Sequence, residues 1–200
     1  MFYGKEPKKK KGRLPIVCVH AVLVRCDRGD EPHIHLQERR VIDHEYDPLG
    51  DGKWETVGET LNPLEDFTHA VNRGIGEECG YDPVPDNPPW LISGQGERQQ
   101  YHQRDRKEEA LVLNTRVTMM TEGSQFWLSI AFIVEVSAGF KIRPDKEGET
   151  GEHVWVPVSE LAKALGDPDQ PFRGRYFMPL SVPALKYACG QLMDTTTRLI

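Results

Sequence analysis

The 200 residues are 38% hydrophobic and 28% charged, with 18 Gly and 15 Pro, a balance that fits one loop-rich globular domain and excludes collagen-like or disordered character. The formal charge is −6, yet the opening MFYGKEPKKKKGR holds six bases and one acid, which leaves −11 on everything after Arg13. An acidic body of that kind speaks against broad nucleic-acid binding, while a pocket holding divalent cations would still accept a phosphorylated substrate.

Residues 1–14 read as a basic, solvated tail ahead of a single domain over 15–200. The lysines are not followed by the apolar segment and small-residue cleavage site of a secretory signal, so a cytoplasmic protein is expected. Ile16 to Arg25 (IVCVHAVLVR) is rich in β-branched residues and predicts a largely buried strand. A second strand follows at His33 to Arg39, where His33 and His35 share a face; they suggest a metal pair, but no third ligand stands near them in sequence. Asp43 to Lys53 is turn material, and Trp54 to Val57 predicts a short strand. The best-marked helix begins at Asn62, with Asn as cap, Pro63 in the first turn and Glu65 three residues after the cap, and ends near Gly80. Strands are expected at Leu111 to Met119, Phe126 to Val136 and His153 to Val156, and helices at Ser159 to Leu165 and Val182 to Met193. The Phe126–Val136 stretch is broken by Ser129 and Glu135 and falls far short of the roughly 20 residues that span a bilayer, so no membrane partner is expected. Cys18, Cys26, Cys79 and Cys189 form no CxxC pair, which excludes a zinc ribbon or disulfide framework and predicts buried thiols. The class is α+β or an α/β/α sandwich.

Around the Asn62–Gly80 helix, Leu64, Phe67, Val71 and Ile75 form one apolar stripe, with Glu78 at its border. A carboxylate pressed against an apolar face costs several kcal/mol unless it is compensated, and a cation is the natural compensator. Asp66, Arg73 and Glu77 lie on the neighbouring stripe, so Glu77 and Glu78 gather beside one arginine. Adjacent hard carboxylates of this kind are what Mg²⁺ and Mn²⁺ sites are built from. Two other features carry candidate chemistry. The loop Asp145 to Glu152 supplies Glu147, Glu149 and Glu152 on a glycine-containing segment that could swing toward a substrate, and Glu97 to Lys107 gathers Arg98, Arg104, Arg106 and Lys107 around Tyr101 and His102. His20 and His69 read as structural or solvent-facing.

The segment WETVGETLNPLEDFTHAVNRGIGEECGY resembles the Nudix box, G-x5-E-x7-R-E-U-x-E-E-x-G-U, where U is aliphatic: Glu65, Arg73, Ile75, Glu77, Glu78 and Gly80 fall in register, after the Trp54-Glu55 pair. Glu152 to Leu161 is similar to the family's WVPLxEL ending, and the resemblance covers about residues 15–165. Three positions depart from the pattern: Glu59 stands at the opening Gly, with Gly58 just before it, Gly74 stands at the Glu after the arginine, and Tyr81 at the closing aliphatic. The resemblance implies a Nudix-type α/β/α sandwich with a mixed β-sheet, and hydrolysis of a nucleoside diphosphate linked to another moiety. It implies Mg²⁺ or Mn²⁺ held by Glu77 and Glu78, carboxylates oriented by Arg73, and Glu65 positioning the loop and helix. Gly74 removes a carboxylate that in the family binds metal and often serves as base. Either catalysis is weakened, leaving a module that binds a nucleotide or a protein partner, or the base comes from a later loop, with Glu149 and Glu152 as candidates. Arg98 and Arg104 would contact the phosphates of a nucleotide-type substrate. A homodimer is a further expectation, since specificity in this fold often involves a partner copy. Action on nucleic-acid ends is a weaker one, needing the basic tail and Arg98 to Lys107 together.

Overall fold

The computed structural model describes residues 16–26, 31–41, 50–80, 110–122, 125–136, 140–143 and 148–197. In chain order the elements are β1 (Ile16–Arg25), β2 (His33–Arg39), β3 (Trp54–Glu55), β4 (Val57–Thr60), α1 (Phe67–Cys79), β5 (Ala110–Glu122), β6 (Gln125–Val136), β7 (Thr150–Pro157), α2 (Val158–Ala164) and α3 (Val182–Thr197). The expected Trp54–Val57 strand is two strands, separated at Thr56.

One mixed sheet holds all seven strands, and β1 is its axis. Along one edge β1 runs parallel to β6, from Ile16 opposite Trp127 to Arg25 opposite Val136. The other edge is shared: β4 lies antiparallel to Cys18–Ala21, and β2 lies antiparallel to Val24 and Arg25. The sheet therefore forks at Val22 and Leu23. β2 continues to β3 and β7, while β6 pairs with β5 in a long antiparallel hairpin.

Alternation along the strands builds two cores. Val22, Val24, Ile34, Leu36, Ala131, Ile133 and Val156 pack with Leu161, Leu165, Leu185 and Cys189 from α2 and α3. Val19, Ala21, Leu23, Ile130, Phe132 and Val134 pack on the opposite face with Ala70, Val71, Ile75 and Cys79 of α1. Burial on both faces explains the nearly unbroken apolar run of β1. The chain is thus an α+β protein of the α/β/α sandwich type. Among the described residues no helix is long and apolar enough to cross a membrane. Cys18, Cys79 and Cys189 are buried as expected, but Cys26 is exposed just beyond β1.

Helix α1 starts later than the sequence suggests. The Asn62–Glu65 pair does form, with Glu65 Oε2 accepting from the Asn62 amide at 2.9 Å and Asn62 O accepting from the Glu65 amide at 3.1 Å. It closes a turn, not a helix, because Leu64 takes a left-handed φ of 67°. The working cap is Asp66, whose side chain accepts from the His69 amide at 2.8 Å. As a result Leu64 and Phe67, expected on the buried stripe, are exposed. At the other end Gly80 adopts the left-handed conformation expected of a helix terminator, and Cys79 O accepts from the Arg143 amide at 3.0 Å.

Candidate active site at the sheet fork

The α1 face carries the chemistry because the fork lets a helix side chain reach two strands at once. Glu78, 8% exposed, bridges the gap: its Oε1 accepts from the Gly58 amide of β4 at 3.4 Å, and its Oε2 accepts from Gln37 Nε2 of β2. Both donors are neutral. Burial pushes the Glu78 carboxyl well above its ordinary range, and the neighbouring Glu55 and Glu59 charges push the same way. Gln37 is fully buried, and its Oε1 has no hydrogen-bond partner. Glu55, opposite Gln37 in the β2–β3 pairing, meets Arg39 at 3.4 Å.

Arg73 organises the second group of carboxylates. Its Nη1 reaches Glu59 Oε2 at 2.5 Å and Glu77 Oε2 at 3.3 Å, its Nε reaches Glu65 Oε1 at 3.0 Å, and its Nη2 donates to Thr60 O at 2.9 Å. The guanidinium thus ties α1 to β4 and to the turn before the helix, a use of its fork geometry that lysine could not reproduce. The hydrogen bonds from Arg73 hold the Glu65 carboxyl below its usual range. Glu59 goes the other way, up to about 7, because burial outweighs the Arg73 charge and a hydrogen bond to Glu77 adds to the rise.

A further group lies on the α1 face of β2 and β7. His35 Nε2 and His153 Nδ1 are 3.2 Å apart with stacked rings, one donating and the other accepting. His35 also packs on Trp155, and the Arg25 guanidinium sits 4.8 Å over the Trp155 ring. Burial, with the charge of His153 adding to it, lowers the His35 pKa to about 3. The partner of His35 is therefore His153 of β7 and not His33.

The structure brings Glu65, Arg73, Glu77 and Glu78 together at the fork. It does not bring Glu152 there: Glu152 Oε2 pairs with Arg175 at 2.9 Å and its amide donates to Glu38, while Val154 and Val156 further along β7 pack into the α2–α3 core. Strand alternation sends His153 and Trp155, not Glu152, to the α1 face. Glu149 is exposed, with its carbonyl bonded to the Arg40 amide at 2.7 Å. Glu147, Arg98 and Arg104 lie outside the described residues. Sequence reasoning missed Gln37, Glu55 and Glu59 as members of the site, although Glu55 was visible in the Trp54-Glu55 pair and Glu59 as a charge where the box carries Gly.

The donor set fits a hard divalent cation: carboxylate oxygens and one orphaned amide oxygen, with no sulfur. Among the described residues no three His, Cys, Asp or Glu side chains already stand in a cation-holding arrangement, and three of the carboxylates turn toward Arg73.

Comparison with known proteins agrees with the architecture. No curated protein matches the sequence. Among solved structures, the chain is similar to the Nudix hydrolase RenU of M. smegmatis (TM-score 0.54, 16% identity, 92% of this chain and 88% of that one). It is similar to a possible asymmetric diadenosine tetraphosphate hydrolase of Jonesia denitrificans (TM-score 0.55, 19% identity, 90% and 96%). It is also similar to the NUDIX domain of Shewanella oneidensis NrtR complexed with ADP ribose (TM-score 0.51, 14% identity, 98% and 95%). These likenesses establish a shared fold. The family model of the NUDIX domain matches residues 17–177, four-fifths of the chain and the whole span from β1 past α2, so this protein belongs to the Nudix family.

Proposed function

We propose that the chain hydrolyses the pyrophosphate of a nucleoside diphosphate linked to another moiety, with Mg²⁺ or Mn²⁺ held by Glu77 and Glu78. The observation that carries this reading is Glu78: a buried carboxylate contacted by two neutral donors and repelled by two further carboxylates. Such a group is stable as an anion only with added positive charge. When bound, the cation would neutralise pyrophosphate oxygens and lower the pKa of an attacking water. Arg73 fixes Glu59, Glu65 and Glu77 relative to β4, so the helix presents its carboxylates in one orientation. Glu149, exposed at the exit of the acidic loop, and Glu152, which meets Arg175 at 2.9 Å, are the candidates for orienting water. Arg98 and Arg104 are assigned to phosphate contacts on sequence grounds. A cytoplasmic setting, a homodimer and a tail over residues 1–14 belong to the same reading.

The solved structures named above make ADP-ribose and diadenosine tetraphosphate the first substrates to try. Gly74 favours one second reading, a binding module that kept the fold and lost the reaction. A nucleotide panel with Mg²⁺ or Mn²⁺, wild type beside Glu78→Gln, separates the two. Turnover lost in the variant supports the hydrolase. Absence of turnover, with nucleotide still raising the melting temperature, supports the binding module.

A further inference from the structure

Gly74 leaves bare backbone on the face of α1 that meets β4, and Glu59 lies directly across it. A Cβ placed on Gly74 would fall 2.6 Å from Glu59 Cγ and 3.7 Å from Glu59 Cβ. The Glu59 side chain thus runs through the space that any side chain at position 74 would need. From there its carboxylate meets Arg73 Nη1 at 2.5 Å, the same nitrogen that Glu77 reaches at 3.3 Å, and its charge acts on Glu78. The side chain is only 15% exposed.

Charge makes the arrangement incomplete. Glu59, Glu65 and Glu77 share one guanidinium, that of Arg73, while the buried Glu78 beside them is contacted by two neutral donors. Carboxylates in mutual contact need positive charge between them. A separate observation points to the same deficit: Gln37, completely buried against Glu78, keeps an amide oxygen with no donor. A buried acceptor without a donor is the signature of a missing cation or donor beside it.

We infer that Glu59, reaching from β4 across Gly74, is the third carboxylate ligand of the divalent cation held by Glu77 and Glu78. The carboxylate absent from the helix at position 74 is supplied from the strand at position 59, and the two positions have exchanged a glycine for a glutamate. This inference rests on the metal-dependent reading above.

The test is Mn²⁺ binding to the full chain, followed by electron paramagnetic resonance and titration calorimetry, without substrate. Wild type should bind Mn²⁺, Glu78→Gln should abolish binding, and Glu59→Gln should weaken it at least about tenfold. Glu59→Gly should lose as much, and the exchange variant Glu59→Gly/Gly74→Glu should recover binding, because the carboxylate returns from the helix side. Circular dichroism confirms that each variant is folded. Wild-type affinity in Glu59→Gln beside loss in Glu78→Gln overturns the assignment of Glu59 and leaves the metal site standing. Failure of Gly74→Glu to restore binding to a folded Glu59→Gly protein also overturns it. Failure of wild type to bind Mn²⁺ at all overturns both this inference and the reading beneath it.

Discussion

Gly74→Ala is the sharpest stability test of the contact between α1 and β4. In an ordinary helix interior, replacing Gly by Ala stabilises by about 1 kcal/mol. Here the new methyl would lie 2.6 Å from Glu59 Cγ and 3.2 Å from Cγ1 of Val57, a residue 1% exposed in the α1 core. Glu59 would have to move off Arg73, and overpacking of this kind costs about 1–3 kcal/mol. The clash outweighs the propensity, so Gly74→Ala should destabilise the wild-type background by up to about 2 kcal/mol, or several degrees in Tm for a domain of this size. In a Glu59→Ala background Cγ is gone, leaving the softer Val57 contact and an ordinary 3.7 Å approach to Cβ, so the same substitution should stabilise by up to about 1 kcal/mol. The assay is urea denaturation of the four proteins in a metal-free double-mutant cycle, where a coupling of about 1–3 kcal/mol is expected. Stabilisation by Gly74→Ala in the wild-type background, or coupling below about 0.5 kcal/mol, would refute the claim that Glu59 occupies the space over Gly74.

Three further outcomes follow from the same geometry. Glu78→Gln should raise the stability of the metal-free protein by about 1–3 kcal/mol, since it removes an undercompensated buried charge, while an amide can accept from Gly58 and donate to the orphaned Gln37 Oε1 once the Gln37 amide turns over. Differential scanning fluorimetry should show a higher metal-free Tm and no further rise with Mn²⁺; a lower metal-free Tm would contradict the argument. His20, buried with Nδ1 3.0 Å from Thr56 Oγ1, has its pKa lowered by burial to about 4 from 6.5. It stays neutral in the fold while the unfolded chain takes up a proton, so its contribution is intact above pH 6.5 and falls on acidification by about 1.4 kcal/mol per pH unit down to about pH 4. Urea curves at pH 7 and pH 5 should therefore show His20→Gln losing about 2 kcal/mol less than wild type, and equal losses would show that His20 does not titrate in this window. Arg73→Lys keeps the charge but cannot hold Glu59, Glu65, Glu77 and Thr60 O together; a loss of about 1–3 kcal/mol in chemical denaturation is expected, and a neutral result would mean the fork geometry of the guanidinium contributes nothing.

The parts of this protein that were legible in its sequence are those governed by local pattern. β1 announced itself because burial on both faces selects an unbroken apolar, β-branched run, and Gly80 announced the end of α1 because a left-handed terminator favours that residue. The start of α1 was misplaced for a local reason as well. Asn62, Pro63 and Glu65 satisfy one another as a turn, and nothing in their spacing shows that Leu64 leaves the helical region while Asp66 does the capping. Arg73 and Glu77 could be paired from helical spacing, since i and i+4 positions share a face, and Glu78 stood out as a carboxylate at the border of the apolar stripe, while their site roles came from the box they match. Gln37 could not be, because it meets Glu78 across 41 residues of chain and only the pairing of β2 at the fork brings it there. Glu59 looked like a defect in a motif; its position over Gly74 depends on the separation of β4 and α1. The side of β7 on which Glu152 lies was legible, because alternation with His153 and Trp155 assigns it to the other face.

The pairing of β1 with β6 bears on how the protein reaches its native state. Ile16 and Trp127, neighbours in the parallel ladder, are separated by more than a hundred residues of chain, and closing so long a loop gives up entropy before any contact rewards it. β4, α1 and the turn between them are contiguous and could take shape early. Yet the surface on which α1 rests includes Ile130, Phe132 and Val134 of β6 as well as β1, so the acidic helix has no complete floor until the distant strand arrives. The carboxylates that repel one another at the fork are therefore held in place by the energy of a ladder in which none of them takes part.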